Sequence, residues 1–438
     1  MRAGRASAVS SEPTSPEPSR KSDILVRIVS SLLALAALPV VAASGYLFVL
    51  TIRSRRSDPP EYGVPRARFA IVVPAHDEAA GIADTVKSLL SLDYPPESFE
   101  VIVVADNCTD DTAARAAAAG ATVMSRVDHE RRGKGFALAH AFEKIVADGR
   151  ADAVVVIDAD TVVSPNLLRA FDARIAAGAG AVQADYAVRN PDAGWRTRLM
   201  AIALGMFHVV RSTGRENLGV SCGLRGNGMC FTTELLGEVP HDAFSIVEDV
   251  EYGIRIGERG HRVHYAGEAH VYGEMVSSEK ASRSQRERWE GGRRQLVKQH
   301  GLRLLRRAIA TRSPLLFDLA MDLVVPPLST LVLATAAGAA ASTALAVVTG
   351  RPNLAQVLFG ASGVFLVAYG VRGWQLSGTG AKGLATLGYA PAYMAWKATL
   401  PLRRAHKAKT PDASSTTGDE WIRTTREAQP AAGSNRGS

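Results

Sequence analysis

Three stretches of this 438-residue chain contain no Asp, Glu, Lys or Arg: Ile28–Ile52, Leu323–Gly350 and Pro352–Val371. No other feature restricts the fold as strongly. A helix rises about 1.5 Å per residue, so each run is long enough to cross a hydrocarbon layer ~30 Å thick. Buried core helices rarely run so far without a charge, and the expectation is three transmembrane helices over 28–52, 323–350 and 352–371. The first does not read as a signal peptide, because its apolar run is too long and no small-residue cleavage site precedes the Arg53–Arg56 cluster.

Basic residues orient these runs. Arg53, Arg55, Arg56, Arg66 and Arg68 follow the first, and Lys298, Arg303, Arg306, Arg307 and Arg312 precede the second. Arg351 stands alone between the second and third, and Arg403, Arg404, Lys407 and Lys409 lie beyond the third. The positive-inside rule then puts 53–312 and the C-terminal segment in the cytoplasm and the Arg351 turn outside, with the N-terminus outside by parity. The expectation is a multi-pass protein of the cell (inner) membrane. Residues 1–22 and 401–438 are expected to be disordered tails. Residues 384–400, where Gly, Pro and Lys397 interrupt apolar and aromatic residues, read as a helix lying in the interface. Much of the formal net charge of +8 lies beside span ends, where it meets the lipid membrane, so nucleic acid is not the expected partner. Three cysteines (Cys108, Cys222, Cys230) are too few and odd for a disulfide framework and suit a reducing compartment.

The block 53–312 alternates strand-like and helical runs. Phe69–Ala75 precedes a helix over 79–92, Phe99–Asp106 one over 109–119, Ala121–Arg126 one over 135–147, and Ala153–Asp160 one over 165–176, with Ala181–Val188 following. Continuous β-branched runs between helices predict an α/β domain with a parallel sheet covered on both faces. Ligands of such sheets sit beyond the carboxyl ends of the strands. Acids gather there: Asp77 and Glu78 after the first strand, Asp106 ending the second, Asp158 and Asp160 ending the fourth.

Asp158 and Asp160, one residue apart at a strand end, are hard oxygen ligands that suit Mg²⁺ or Mn²⁺ shared with a substrate diphosphate. Gly133-Lys134-Gly135 opens a helix and offers N–H groups and a cation to a phosphate, or is an ordinary helix start. No phosphate-loop or dinucleotide-binding glycine motif is present. Gly219-Val220-Ser221-Cys222-Gly223 lacks the preceding strand and following helix that a hydrolase nucleophile needs. His261, His264 and His270 match no zinc spacing. Glu248-Asp249 reads either as charge capping at a helix start or as a general base. Gln285-Arg286-Glu287-Arg288-Trp289 lies in a basic helix near the membrane.

Taken in order, Pro74-Ala75-His76-Asp77-Glu78, Ala105-Asp106-Asn107, Gly133-Lys134-Gly135, Asp158-Ala159-Asp160, Glu248-Asp249 and Gln285-x-x-Arg288-Trp289 resemble the membrane-bound processive glycosyltransferases of family 2, which include cellulose, chitin and hyaluronan synthases. The resemblance covers about residues 66–300 and the flanking spans. It implies a GT-A type fold and inverting hexosyl transfer from a nucleotide sugar, with UDP as its nucleotide, to a glycan or lipid-linked acceptor, extending a β-linked polysaccharide. It implies that Glu78 and Asp106 hold uridine, and that Lys134 contacts the nucleotide. Asp158 and Asp160 would bind the diphosphate with Mg²⁺ or Mn²⁺. Asp249 would be the base, oriented by Glu248. Gln285, Arg288 and Trp289 would close over diphosphate and acceptor, and Gly226, Asn227 and Gly228 would line the acceptor. Three spans are fewer than polymer-extruding synthases carry. That leaves open transfer of a single sugar to a polyprenyl phosphate or other lipid, a homo-oligomer or export partner completing a channel, and an inactive nucleotide-sugar-binding scaffold.

Overall fold

The computed structural model describes residues 20–274, 290–390 and 394. Its core is an eight-stranded sheet of β1 (Phe69–Ala75), β2 (Phe99–Asp106), β3 (Thr122–Arg126), β4 (Ala153–Val156), β5 (Thr161–Val163), β6 (Ala181–Val188), β7 (Met229–Thr232) and β8 (Val263–Gly273), in the order β3-β2-β1-β4-β7-β6-β8-β5. Side chains alternate across the pleat. Phe69, Ile71, Val73, Val101, Val103 and Val155 enter one buried cluster, and Ala70, Val72, Ile102, Val104, Val154 and Val156 enter the other. Helices Ile82–Leu90 and Leu167–Ala176 cover the first face; Lys134–Asp148 and Glu248–Glu258 cover the second. Burial on both faces explains why the strands read as unbroken apolar runs.

The sheet is mixed, which corrects the all-parallel expectation. β3, β2, β1 and β4 are parallel, but β7 runs antiparallel to β4 and β6, and β5 antiparallel to β8. The reason is local. The loop before β7 already lies at the carboxyl edge of β4, where Gly228 N–H donates to Val156 O, so β7 can only run back across the sheet. The strand expected over 153–160 ends at Val156, and Asp158–Asp160 form the turn that leaves it.

Three helices are long and apolar enough to cross a membrane: Asp23–Arg53, Leu328–Thr349 and Leu354–Leu376. The first belongs to a helix that starts at Arg20, inside the expected tail. The run expected as one span over 323–350 is broken. Helix Pro314–Val324 ends before Pro326-Pro327, and Leu328 starts a new helix. A residue preceding proline is driven from helical to extended backbone, as Val325 shows with ψ 119°. The third span begins at a capping box between Asn353 and Gln356 and continues past Arg372. Arg372 donates to Ser54 O at 2.7 Å, while Arg351 lies 3.9 Å from Asp23, so the first and third spans share both ends. Of the expected interfacial helix, Gly380–Thr386 and Leu387–Tyr389 are helical, and most of 391–400 lies outside the described residues.

The sheet domain is braced to the spans by a helical run, Trp195–Leu204, Gly205–Val210 and Arg211–Asn217. Gly214 permits that contact, since a side-chain carbon there would sit 2.6 Å from Leu50 O of the first span.

Candidate active site

β1, β2 and β4 end side by side, and their exits supply the acids. The chain leaves β1 and β2 through left-handed residues, Asp77 (φ 54°) and Asn107 (φ 51°). Such backbone is uncommon outside glycine and favours Asp and Asn, whose side chains hydrogen-bond nearby N–H groups. Asp77 Oδ1 accepts from Thr109 N at 2.7 Å, and Asn107 Oδ1 from Asp128 N at 2.8 Å. Glu78, half-buried, follows the first turn, its N–H donating to Thr112 Oγ1. Asp106 is fully buried; Oδ1 pairs with Arg126 at 2.6 Å, while Oδ2 has no hydrogen-bond partner among the described residues. The pairing with Arg126 was not read from the sequence.

Gly135 organises the next wall. A Cβ there would collide with Ala243 O at 2.4 Å, so glycine lets the segment leading to Glu248–Glu258 pack against the start of the Lys134 helix. Lys134 Nζ then lies 2.5 Å from Asp158 Oδ1 and 3.8 Å from Glu248 Oε1, and also donates to Gly226 O. Asp249 completes the cluster, because a Cβ on Gly226 would lie 3.4 Å from Asp249 Oδ2. The structure therefore gathers Lys134, Asp158, Gly226, Glu248 and Asp249, which lie far apart in the chain. Burial pushes the Glu248 carboxyl up, opposed by Lys134 and reinforced by Asp249. Burial also raises Asp249, opposed by the Val250 N–H and Lys134. Burial opposes the Lys134 charge, but Asp158 and Glu248 outweigh it and hold the ammonium above its usual range. Glu251, the third acid of that stretch, pairs with Arg255 at 2.8 Å.

The Gly226-Asn227-Gly228 loop borders this cluster, but Asn227 turns inward. Fully buried, it accepts Asp158 N–H at 3.1 Å and donates to Thr161 Oγ1 at 2.8 Å. Gln183 holds the same loop through Asn227 O and Arg225 N. Asn227 is thus a positioning residue for the Asp158–Asp160 turn, and its side chain does not line an acceptor path as expected from sequence. Gln285, Arg288 and Trp289 lie outside the described residues.

For a divalent cation, the donor set fits. Asp158 and half-buried Asp160 are hard oxygen donors on one turn, and Asp158, Asp160, Glu248 and Asp249 outnumber Lys134. Another grouping, Asp77, Cys108 and Asp110, could also hold a metal. Its carboxylates, however, already accept the N–H and hydroxyl groups of the turn: Asp77 from Thr109 and Asp110 N, Asp110 from Thr112 and Ala79 N. Ser221 is buried and accepts Val263 N–H at 3.0 Å, directly after helix Arg211–Asn217, and so is no exposed nucleophile.

Residues absent from the sequence reading form the boundary with the spans. Arg215 pairs with Asp318 at 2.6 Å and Asp322 at 3.1 Å, and Arg211 with Asp322 at 3.1 Å. Tyr46 of the first span donates to Asp318, and Arg211 donates to Tyr369 of the third. Only helical spacing of arginines signals this in sequence, and that signal is weak.

Residues 65–292 match the family described as "Glycosyltransferase like family 2". The chain is 29% identical over 274 residues to the β-monoglucosyldiacylglycerol synthase of Synechocystis sp., covering 58% of this chain and 55% of that protein. It is 24% identical over 241 residues to a probable glycosyltransferase, YdaM, of Bacillus subtilis, covering 52% and 56%. The chain thus spans about half the length of these curated relatives. Among solved structures, the mannosyltransferase PcManGT of Pyrobaculum calidifontis, in complex with GDP-mannose and Mn²⁺, is 20% identical, covering 78% of this chain and 98% of that chain with a TM-score of 0.46.

Proposed function

The chain belongs to glycosyltransferase-like family 2, and from that premise we propose that it is an inverting transferase that places one hexose from a nucleotide sugar onto a lipid acceptor at the cytoplasmic membrane face. Its catalytic domain has the GT-A fold. In this reading residues 53–312 are cytoplasmic and the three long apolar helices are membrane spans, with the basic clusters on the inner side. The observation that carries the proposal is the convergence of Lys134, Asp158, Glu248 and Asp249 on a loop whose next residue, Arg225, belongs to the junction with the spans.

Inversion needs one displacement. The acceptor oxygen forms a bond to the anomeric carbon as the bond from that carbon to the diphosphate oxygen breaks. The acceptor proton passes to Asp249, and the electron pair leaves with the nucleoside diphosphate. A positioned base is typically worth ~10²–10⁴-fold. Burial of Asp249 raises its basicity, and Glu248 holds Lys134 beside it. Lys134 contributes a fixed positive charge where the leaving group gains negative charge. Asp158 and Asp160 would hold Mg²⁺ or Mn²⁺, which when bound neutralises the diphosphate. Asp106 Oδ2 and Glu78 remain to accept from the nucleoside.

The name of the Synechocystis relative supports a lipid acceptor, and three spans suit a single transfer better than polymer export. Chain extension in the manner of the processive synthases is the second reading, favoured by the Gln285-x-x-Arg288-Trp289 signature. Membranes containing the protein, incubated with radiolabelled nucleotide sugars, distinguish the two. Label extracted into organic solvent as a one-sugar lipid supports the proposal. Label retained in long water-soluble or insoluble chains replaces it with extension, and label in neither fraction rejects both.

A further inference from the structure

At the junction, four guanidiniums (Arg211, Arg215, Arg225, Arg293) face two carboxylates, Asp318 and Asp322. Arg211 and Arg215 take both. Arg225 has only Cys222 O, at 3.1 Å, and Arg293 has only the carbonyls of Asp322, Leu323 and Val325 as hydrogen-bond acceptors; neither meets a carboxylate among the described residues. With Arg211 they surround the ring of Phe207, their guanidinium carbons 4.6 Å (Arg225), 5.8 Å (Arg293) and 4.7 Å (Arg211) from its centroid. Arg225 is 8% exposed, and its Nε has no hydrogen-bond partner; nor has one terminal nitrogen of Arg215.

Two buried cations without counter-charge are costly, and a ring face offsets only part of that cost. Burial and the neighbouring guanidiniums pull Arg293 down to about 10, although Asp322 opposes this. Guanidiniums with open N–H groups match phosphate better than any other common anion. The position also fits. Arg225 adjoins Gly226 beside Asp249, while Arg293 reaches the carbonyls just before the second span.

We infer that Arg225 and Arg293, grouped around Phe207, bind a phosphate group carried by the acceptor lipid and so hold that acceptor between the membrane and Asp249. This rests on the reading that the acceptor arrives from the membrane. The same chemistry would suit the donor's diphosphate, and the test separates the two sources.

The full chain is placed in phosphatidylcholine nanodiscs without donor, and its thermal unfolding is followed. Phosphatidic acid is expected to raise the midpoint, and diacylglycerol with the same acyl chains to leave it unchanged. Arg225→Gln and Arg293→Gln are each expected to remove that shift. In neutral lipid their midpoints should equal or exceed wild type, because a repelled cation is gone. Arg225→Lys and Arg293→Lys should retain part of the shift and serve where a Gln variant does not fold. A shift given by UDP or inorganic phosphate, lost in these variants and absent with phosphatidic acid, overturns the lipid source in favour of the donor. Equal shifts from phosphatidic acid and diacylglycerol, or a phosphatidic acid shift that survives both substitutions, overturn the site. Because no sugar is transferred, a failed transfer assay with this shift intact removes the proposed function alone.

Discussion

Two charged regions meet at the 225–228 loop and are built in opposite ways. On the crevice side, Asp158, Asp160, Glu248 and Asp249 stand around one lysine, partly open to solvent. On the membrane side, four arginines stand around two aspartates, almost wholly buried. The crevice carries surplus negative charge that water and counter-ions can screen. The junction cannot be screened that way, so each of its charges must be paired, capped by carbonyls, laid on a ring or met by a ligand. An exposed imbalance costs little and attracts a cation, whereas a buried one is expensive unless something answers it.

The sharpest break in that comparison is chemical. Asp249→Asn is expected to lower transfer ~10²–10⁴-fold while nucleotide binding stays near wild type, since the base acts on the acceptor. Near-normal turnover in this variant would remove Asp249 from the role of base. On the junction side the effect is on stability. Arg215→Met leaves Asp318 buried without its partner and should cost about 3–5 kcal/mol in denaturant unfolding of the detergent-solubilised protein. Adding Asp318→Leu should recover part of that loss; if the double variant is no better than the single, the pair is not what the substitution broke. Third, Asn227→Ala frees the turn that carries Asp158 and Asp160. It should weaken metal-dependent nucleotide binding about 10- to 100-fold, read as a shifted Mn²⁺ titration of UDP affinity. An unchanged titration would mean that Asn227 does not position the metal ligands. The smallest effect concerns the brace. Gly214→Ala forces a methyl against Leu50 O and should lower stability by about 1–3 kcal/mol with no change in the apparent KM for donor. A shift in KM would mean that the brace also shapes the nucleotide pocket.

Much of the crevice was legible because its residues sit where local rules put them. Acids cannot lie inside a buried strand, so Asp106, Asp158 and Asp160 marked strand exits, and the alternation of strand and helix put those exits on one edge. Illegible were the reversed direction of β7, the inward turn of Asn227 and the Asp106–Arg126 pair, each decided by a partner distant in sequence. The arginine junction was hidden for the same reason. Arg215 and Asp318 are 103 residues apart, and Arg211 and Tyr369 158 apart.

By itself the sequence determined three apolar helices, the orientation expected from their basic flanks, and an α/β domain with acids at its strand ends. These depend on hydropathy, period and backbone preference, all properties of contiguous residues. Only the tertiary structure decided that Pro326-Pro327 splits the second apolar run, that Lys134 joins Asp158 to Glu248, and that Arg225 and Arg293 are left without carboxylates beside Asp249. The proline dipeptide was visible in the sequence, but whether it would bend or break a span depended on the packing of helix Pro314–Val324 against the sheet domain, where Leu319 meets Gly257. Charge balance in a buried site is a sum over partners brought together from the whole chain, and the fold fixes which partners those are.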